Sequence, residues 1–186
     1  HENIRLTRLI DNFLAFSRME RNKNTFIMRQ VKPMQIAHCA IEAMKTKLET
    51  NGCNLNIEFE ENLPLIIADF DAMTTVLTNL LDNACKYSKD DGSENNITIK
   101  IYTDNTDVCF EVRDSGIGLT PKQMKKIFNR FYQADQRLSR KAEGCGLGLS
   151  IVKFIIESHG GKIEVQSKPS IGSSFIIRVK KDECRE

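Results

Sequence analysis

The stretch TNLLDNACKYS, residues 78–88, places two asparagines four positions apart in what is otherwise an apolar helix. Asparagine is a mediocre helix former, because its side chain competes for backbone hydrogen bonds. On a helix, Asn79, Asn83, Lys86 and Tyr87 share one stripe. The opposite side carries Leu77, Leu80, Leu81 and Ala84. The pattern predicts a helix that buries one side in a core and gathers its polar residues along one edge.

These polar residues suit a metal ion and a phosphate group. An asparagine carbonyl is a neutral oxygen ligand of the kind that magnesium accepts alongside phosphates. A lysine one turn later supplies a point charge for phosphate oxygens. A solvated face of an amphipathic helix has the same composition and binds nothing. This helix alone therefore leaves both interpretations open.

The composition predicts one globular domain, or one domain with an appendage. The chain has 186 residues, of which 40% are hydrophobic and 28% charged, and its formal net charge is +2. This charge argues against a nucleic-acid surface, and no apolar run approaches the roughly 20 residues of a membrane span. The six cysteines lack CxxC spacing, which favours reduced, buried thiols in a cytosolic protein over a zinc site. They are Cys39, Cys53, Cys85, Cys109, Cys145 and Cys184.

Residues 1–22 have the pattern of one long helix with a wide apolar stripe. The stripe consists of Ile4, Leu6, Leu9, Ile10, Phe13, Leu14 and Phe16. A stripe of this width requires a partner helix or a second copy of the chain. Polar residues break the pattern at 21–24, so residues 23–30 are predicted to be a linker and residues 31–186 a separate domain.

Residues 31–186 mix helices with alternating strands. Pro33 stands at a first helical position, and the helix that follows is predicted to stop at Asn51-Gly52. Asp69 is a predicted N-cap for the helix that reaches Tyr87. Strands are predicted at 54–60, 97–103, 108–114, 162–167 and 174–180, with a short extended piece before Asp69. Helices are predicted near 121–128 and from residue 147 to a glycine stop at Gly160. Alternation predicts a sheet with one buried and one solvated face, covered by helices on the buried face as a two-layer α/β sandwich.

Two glycine-rich segments carry the other candidate sites. DSGIGL, residues 114–119, leaves a strand, and its glycines permit a ligand to approach the backbone closely. Asp114 at the strand end can accept a hydrogen bond from an exocyclic amine. GCGLGLS, residues 144–150, precedes a helix whose free N–H groups attract phosphate, although it lacks the GK[ST] ending of a P-loop. Each segment alone is also compatible with an ordinary turn.

Taken together, in this order and spacing, the three segments resemble the N box and the two glycine boxes of the sensor histidine kinases. IFNRFYQAD, residues 127–135, is similar to the family's F box, and residues 159–175 are similar to its closing strands. RLTRLIDNFLAFSRME, residues 5–20, resembles the second helix of the dimerisation and histidine-phosphotransfer hairpin. The resemblance covers nearly the whole chain and implies the ATP-binding sandwich shared with gyrases, certain chaperones and mismatch-repair ATPases.

The resemblance implies a site for ATP and Mg²⁺. Asn83 would coordinate magnesium with Asn79 beside it, Lys86 would contact phosphate, and Tyr87 would line the pocket. Asp114 would bind the adenine amine. The other implied nucleotide-binding residues are Gly116 and Gly118, then Tyr132, then Arg137, Arg140 and Lys141 in an ATP lid at 133–146, and Gly144, Gly146, Leu147 and Gly148 around the phosphates.

The chain departs from the family pattern at three places. Cys145 stands where the family often has threonine or serine, and Ser170 replaces the first glycine of GxG[ST]xF. The family's phosphoacceptor histidine lies in a motif like HE[LI]RTP, which the HENIRL beginning at His1 does not match. His38 and His159 are interpreted as ordinary helix residues, His159 with a favourable charge for a helix C-terminus.

The resemblance therefore implies the catalytic core of a two-component kinase that phosphorylates a histidine outside this segment. Its implied partners are a response regulator receiver domain and, through the hairpin helices, a second copy of the chain. A cytoplasmic segment is expected, with any sensor or membrane-anchoring segments upstream. The alternatives are an ATP hydrolase or clamp of the same superfamily, which carries a glutamate at the position of Asn79, and a degenerate domain that binds nucleotide only for signalling.

Overall fold

The computed structural model describes residues 26–89, 92, 94–134 and 146–182. The predicted N-terminal helix at 1–22 and most of the predicted lid lie outside these residues. In chain order the elements are β1 (Arg29–Val31), α1 (Pro33–Thr50), β2 (Cys53–Phe59), β3 (Ile66–Ala68), α2 (Phe70–Lys86), β4 (Asn95–Asp104), β5 (Asp107–Asp114), α3 (Pro121–Met124), α4 (Gly148–Ser158), β6 (Lys162–Lys168) and β7 (Gly172–Lys180).

The main sheet has five strands in the order β2-β4-β5-β7-β6. β2 and β4 are parallel, and every other neighbouring pair in this sheet is antiparallel. β1 and β3 form a separate two-stranded antiparallel sheet. The three long helices pack on one face of the main sheet and share with it a single apolar core. This arrangement confirms the predicted two-layer α/β sandwich.

The ends of the helices follow local chemistry that the sequence contains. Pro33 occupies the first turn of α1, and Gly52 follows its end with a φ of 60°. The Asp69 carboxylate accepts a hydrogen bond of 2.9 Å from the Ala72 amide and so caps α2. Gly160, with a φ of 67°, follows α4 in the left-handed conformation that glycine adopts without strain. The predicted helix boundaries are confirmed at these four points.

The outer face of the sheet is less exposed than alternation predicted. Glu111 in β5 is only 7% exposed, and Cys109 on the same face is fully buried. Glu111 accepts hydrogen bonds from Ser174 at 2.7 Å and from Arg113 at 2.7 Å. Arg178, from the next strand, lies 3.4 Å from the Cys109 sulfur and pairs with Asp104. Long charged side chains therefore close over the middle of this face.

Two edges of the fold also differ from the sequence prediction. Ile57 and Phe59 alternate as expected but remain 37% and 54% exposed, because β2 is an edge strand with a neighbour on one side only. Arg29 and Gln30, which the sequence assigned to a linker, belong to β1. Cys39 on α1 is exposed, so the expectation of buried thiols is wrong at that position.

His159 joins two elements through its ring nitrogens. Nδ1 lies 2.7 Å from the carbonyl oxygen of Ile155, and Nε2 accepts a hydrogen bond of 3.0 Å from the backbone N–H of Asp69. His159 therefore ties the end of α4 to the start of α2 by hydrogen bonds.

Candidate functional site

The first asparagine of α2 is oriented by its own helix. The side-chain nitrogen of Asn79 donates a hydrogen bond of 2.9 Å to the backbone carbonyl of Thr75. The carbonyl oxygen, Oδ1, therefore points away from that turn and toward α4. A Cβ atom placed on Gly148 would lie 2.9 Å from this oxygen. The first turn of α4 thus packs directly against the polar edge of α2, and a side chain at position 148 would displace the Asn79 amide.

The second asparagine carries a side-chain nitrogen that lacks a partner in the described part of the chain. The side-chain nitrogen of Asn83 is buried, and no hydrogen-bond partner for it exists among the residues that the structure describes. Buried polar groups in folded proteins are nearly always paired, so this one indicates a position that a ligand completes. An amide presents oxygen or nitrogen after a simple flip, and a carbonyl oxygen is a normal magnesium ligand. The residue present at 83 therefore fits a magnesium site.

Lys86, the implied phosphate ligand, is held by an acidic neighbour. Its ammonium group forms an ion pair with Asp82, one turn earlier, and Asp82 also pairs with Lys47 of α1. Burial acts to raise the pKa of Asp82, but hydrogen bonds and charge from Lys47 and Lys86 outweigh it, so the pKa lies below its usual value. The i,i+4 spacing of Asp82 and Lys86 is a signal in the sequence that could have predicted this pair.

Asp114 lies at the end of β5, where three segments meet. Its Oδ1 accepts hydrogen bonds from the backbone N–H groups of Gly116, at 2.9 Å, and Ser173, at 3.2 Å. Within the described ranges no donor is seen for Oδ2, the other carboxylate oxygen. Burial raises the pKa of Asp114, and the two backbone hydrogen bonds oppose that effect. The carboxylate is therefore fixed through one oxygen, and the other oxygen is available to accept a hydrogen bond.

The glycines after Asp114 are required by close backbone contacts. A Cβ on Gly116 would lie 2.2 Å from the carbonyl oxygen of Tyr87, which accepts a hydrogen bond of 3.0 Å from the N–H of Ile117. Gly118 has a φ of 67°, and a Cβ there would lie 2.1 Å from the carbonyl oxygen of Lys168. The loop therefore lies on the end of α2 on one side and on the β6–β7 hairpin on the other.

Tyr87, which ends α2, is half-buried beside this loop. Burial raises the pKa of its hydroxyl, and the nearby charge of Asp82 adds to that effect. The tyrosine therefore stays protonated and contributes an apolar ring with a neutral hydroxyl.

The start of α4 completes the arrangement. Gly146 has a φ of 70°, and its carbonyl accepts a hydrogen bond of 2.9 Å from the N–H of Phe131. A Cβ on Gly146 would lie within 3.0 Å of the Tyr132 carbonyl oxygen, so the F-box segment touches the glycine turn. Leu147 is buried at the N-cap position, and α4 begins at Gly148. Gly144 and the predicted lid residues Arg137, Arg140 and Lys141 lie outside the described residues.

The structure thus brings the sequence-predicted residues into two neighbouring groups along α2. One group joins Asn79 to the start of α4, and the other joins Tyr87 to the Asp114 loop. The contribution of Ser173, whose N–H binds Asp114, has no signal in the sequence because the two residues are 59 positions apart. Ser170 has a φ of 64°, in the left-handed region that glycine adopts without strain. This angle explains why the family pattern has a glycine at the position that Ser170 occupies here.

The described residues include neither a cluster of metal-binding side chains nor a helix suited to cross a membrane. They contain no group of three or more His, Cys, Asp or Glu side chains placed to hold a metal ion. No helix within them has both the length and the apolar character needed to cross a membrane.

Comparisons with known proteins agree on one family. The family model for the histidine kinase-, DNA gyrase B- and HSP90-like ATPases matches residues 68–183. The sensor protein SrrB of Staphylococcus aureus is 36% identical over 185 residues, which is 98% of this chain and 30% of SrrB. The chain therefore spans less than a third of the length of this relative.

Solved structures have the same fold. Full-length ShkA in complex with AMPPNP superimposes with a TM-score of 0.81 at 25% identity, over 94% of this chain and 35% of ShkA. The nucleotide-free catalytic domain of the histidine kinase ThkA superimposes with a TM-score of 0.70 at 26% identity, over 83% of this chain and 95% of that domain.

Proposed function

This chain belongs to the family of histidine kinase-, DNA gyrase B- and HSP90-like ATPases, as an ATP-binding domain of the sensor-kinase type, and we propose that it transfers the γ-phosphoryl group of ATP to a histidine. The observation that carries the proposal is the meeting of the N box and both glycine boxes along the polar edge of α2. Those segments are far apart in the chain and carry the groups that adenine, phosphate and magnesium need.

Adenine recognition is assigned to Asp114. Its Oδ1 is occupied by two backbone N–H groups, so Oδ2 accepts a hydrogen bond from the exocyclic amine of adenine. Guanine presents a carbonyl oxygen at the same place, and two acceptors facing each other in a buried site are unfavourable. This chemistry supports ATP over GTP as the nucleotide.

The phosphates and magnesium are assigned to the neighbouring stretch of α2, from Asn79 to Lys86. Asn83 supplies a carbonyl oxygen to magnesium, and the Oδ1 of Asn79, directed toward Gly148, lies beside it. The free N–H groups at the start of α4 attract phosphate oxygens, and Lys86 provides a positive charge. Magnesium, when bound, neutralises charge on the phosphate oxygens.

Lys86 must exchange partners when it contacts phosphate. In the structure its ammonium group pairs with Asp82, which keeps a second partner in Lys47. Release of Lys86 therefore does not leave Asp82 as an unpaired charge. This supports a lysine that is held near the site and then binds phosphate.

Phosphoryl transfer between such groups depends mainly on positioning and on charge stabilisation. The acceptor is a histidine outside the three that this segment contains, since none of them stands in the family's phosphoacceptor motif. We assign the onward step to the receiver domain of a response regulator. A homodimer through the hairpin helices brings the acceptor helix to this domain.

ATP hydrolysis is the second candidate, and the chemistry of position 79 argues against it. Hydrolases of the superfamily place a glutamate there to activate water, whereas the amide of Asn79 has no basic oxygen. Its nitrogen is also occupied by the Thr75 carbonyl. A domain that binds nucleotide without transferring phosphate is the third candidate, and the complete set of Asn83, Lys86 and Asp114 argues against it.

The test is phosphotransfer from radiolabelled ATP. The chain is incubated with labelled ATP and magnesium, first alone and then with a separate histidine-bearing hairpin of a sensor kinase. We expect label on the hairpin that is lost in acid and kept in base, as for phosphohistidine, and slow release of free phosphate by the chain alone. Rapid phosphate release by the chain alone, abolished in Asn83→Ala, would show that the chain is a hydrolase. Nucleotide binding without labelling of any hairpin would favour the signalling domain.

A further inference from the structure

Two cysteines meet beside the proposed nucleotide site. The sulfur of Cys53, the first residue of β2, lies 3.4 Å from the sulfur of Cys85, in the last turn of α2. Both are free thiols. A disulfide bond is about 2.05 Å long, so the sulfurs need to approach by little more than an ångström. We propose that Cys53 and Cys85 are a site of reversible oxidation, at which an intramolecular disulfide links β2 to the end of α2.

The approach requires little rearrangement, because both cysteines lie at the ends of their elements. Cys53 follows Gly52, which turns with a φ of 60° and has open space around the position of a Cβ atom. Cys85 precedes the last helical residue of α2, and the chain leaves the helix directly afterwards. The side-chain nitrogen of Asn95, on β4, donates a hydrogen bond of 3.0 Å to the Cys53 sulfur and holds it beside Cys85.

The two sulfurs have different roles in the reaction. Cys53 is partly exposed, whereas Cys85 is only 4% exposed. Susceptibility of a cysteine to an oxidant in solution follows its exposure. Cys53 is therefore the sulfur that meets an oxidant from solution, and Cys85 is the sulfur that resolves the intermediate.

A low-molecular-weight disulfide is a sufficient oxidant. The Cys53 thiolate attacks one sulfur of the oxidant, forms a mixed disulfide and releases one thiolate, which takes up a proton. The Cys85 sulfur, on losing its own proton, then attacks the Cys53 sulfur, breaks the mixed disulfide and releases the second thiol. Two protein thiols and one small disulfide thus become one protein disulfide and two small thiols. An excess of small thiol reverses both steps.

The other free cysteines that the structure describes are not arranged in this way. Cys109 is buried on the outer face of the sheet and contacts Arg178. Cys39 is exposed on α1. Within the described part of the chain only Cys53 and Cys85 contact each other, and Cys85 stands next to Lys86. The modification site therefore adjoins the turn of α2 that carries the proposed phosphate-binding residue.

The experiment uses the whole chain and oxidised glutathione, and it needs no nucleotide. Free thiols are alkylated after the exposure, and trypsin then releases residues 48–86 as a single peptide, because no lysine or arginine lies between Lys47 and Lys86. We expect this peptide to escape alkylation at both cysteines. Its mass should be lower by two hydrogen atoms than the mass of the same peptide with two free, unalkylated thiols. Treatment with dithiothreitol before alkylation should give the peptide that is alkylated at both cysteines.

Thermal unfolding supplies an independent measurement. The disulfide closes a loop of roughly thirty residues, which predicts a rise in Tm on the order of 5 °C in the oxidised protein. Cys53→Ser, and separately Cys53→Ala, should abolish both the light peptide and the rise in Tm. Cys39→Ser is the matched control and should keep both.

Three results would overturn the proposal. The first is a peptide that is fully alkylated after exposure to oxidised glutathione. The second is a glutathione adduct on Cys53 that Cys85 never displaces. The third is an oxidised product that consists only of disulfide-linked dimers on a non-reducing gel. Each is independent of whether the domain binds ATP.

Discussion

Replacement of Asp114 by asparagine tests the central contact of the proposed site with little change in shape. Asparagine keeps the oxygen that accepts from the backbone N–H groups of Gly116 and Ser173, at 2.9 and 3.2 Å. It replaces the other oxygen, Oδ2, by an NH₂ group. That group faces the adenine amine with a second donor, so the hydrogen bond to ATP is lost while the loop stays anchored.

The size of the loss follows from the charge of the acceptor. A hydrogen bond to a charged group contributes about 1.5–3 kcal/mol, which corresponds to roughly 10- to 150-fold in affinity. Guanine presents an acceptor at the same place, so the NH₂ group of the variant can donate to it. We therefore expect Asp114→Asn to bind MgATP at least about tenfold more weakly and to lose most of its preference for ATP over GTP.

The stability of the variant should not fall. Burial raises the pKa of Asp114, so folding disfavours the ionised form. For a carboxyl group with a raised pKa, the contribution to stability decreases as the pH rises from its ordinary value through the folded-state pKa. At neutral pH the wild-type protein therefore contains a disfavoured charge, which the asparagine removes. Urea unfolding at neutral pH should give a free energy of unfolding equal to or higher than that of the wild type.

Isothermal titration calorimetry with MgATP and MgGTP measures the binding. Asp107→Asn is the matched control, because Asp107 stands at the other end of the same strand, and it should leave both affinities unchanged. Equal wild-type affinities for the two nucleotides would refute the assignment of Asp114. So would a folded Asp114→Asn variant that binds MgATP as tightly as the wild type.

Three further variants address the rest of the site. Asn83→Ala should weaken ATP binding about tenfold with magnesium and leave binding in EDTA unchanged. The Tm should not fall, since the buried side-chain nitrogen has no protein partner among the described residues. An equal loss with and without magnesium in calorimetry would contradict the metal assignment. Gly148→Ala should weaken MgATP binding by roughly tenfold, because the alanine Cβ would lie 2.9 Å from the Asn79 side-chain oxygen. Unchanged affinity in the same titration would show that the contact between Asn79 and position 148 does not order the site. Asp82→Asn should lower stability to urea at neutral pH. The pKa of Asp82 is depressed below its ordinary 3.8, so the ionised carboxylate stabilises the fold above that pH. This stabilisation is lost as the pH falls through the folded-state pKa. The difference between Asp82→Asn and the wild type should therefore vanish in strong acid, and a difference that persists there would rule out the ion pair as its cause.

Local chemistry was sufficient to predict most elements of this fold. The proline at the start of α1, the Asp69 cap of α2 and the glycine after α4 act within a few residues of their own positions, so their effects can be predicted from short stretches. The family was also predictable, because three motifs in a fixed order are specific even though each one alone is not. The family match over residues 68–183 confirms that resemblance.

The alternation of apolar and polar residues along the strands predicted less completely which side chains would be buried. It correctly placed Ile97, Ile99 and Ile101 in the core. It could not show that Glu111 would be buried on the outer face, because the Ser174 hydroxyl that donates to it comes from the neighbouring strand β7. It also could not show that Phe59 would remain exposed, since the position of a strand at the edge of a sheet depends on the order of all the strands.

The residues that carry the proposed chemistry were determined by the sequence, but their arrangement was decided only by the tertiary structure. The spacing of Asn79 and Asn83 on one helix edge is a local property of α2. That Asn79 meets Gly148, that the Ser173 amide holds Asp114, and that Cys53 touches Cys85 all depend on contacts between residues 32 to 69 positions apart. Such contacts form only when the core closes and fixes each helix against the sheet, and no periodicity within a single element records them.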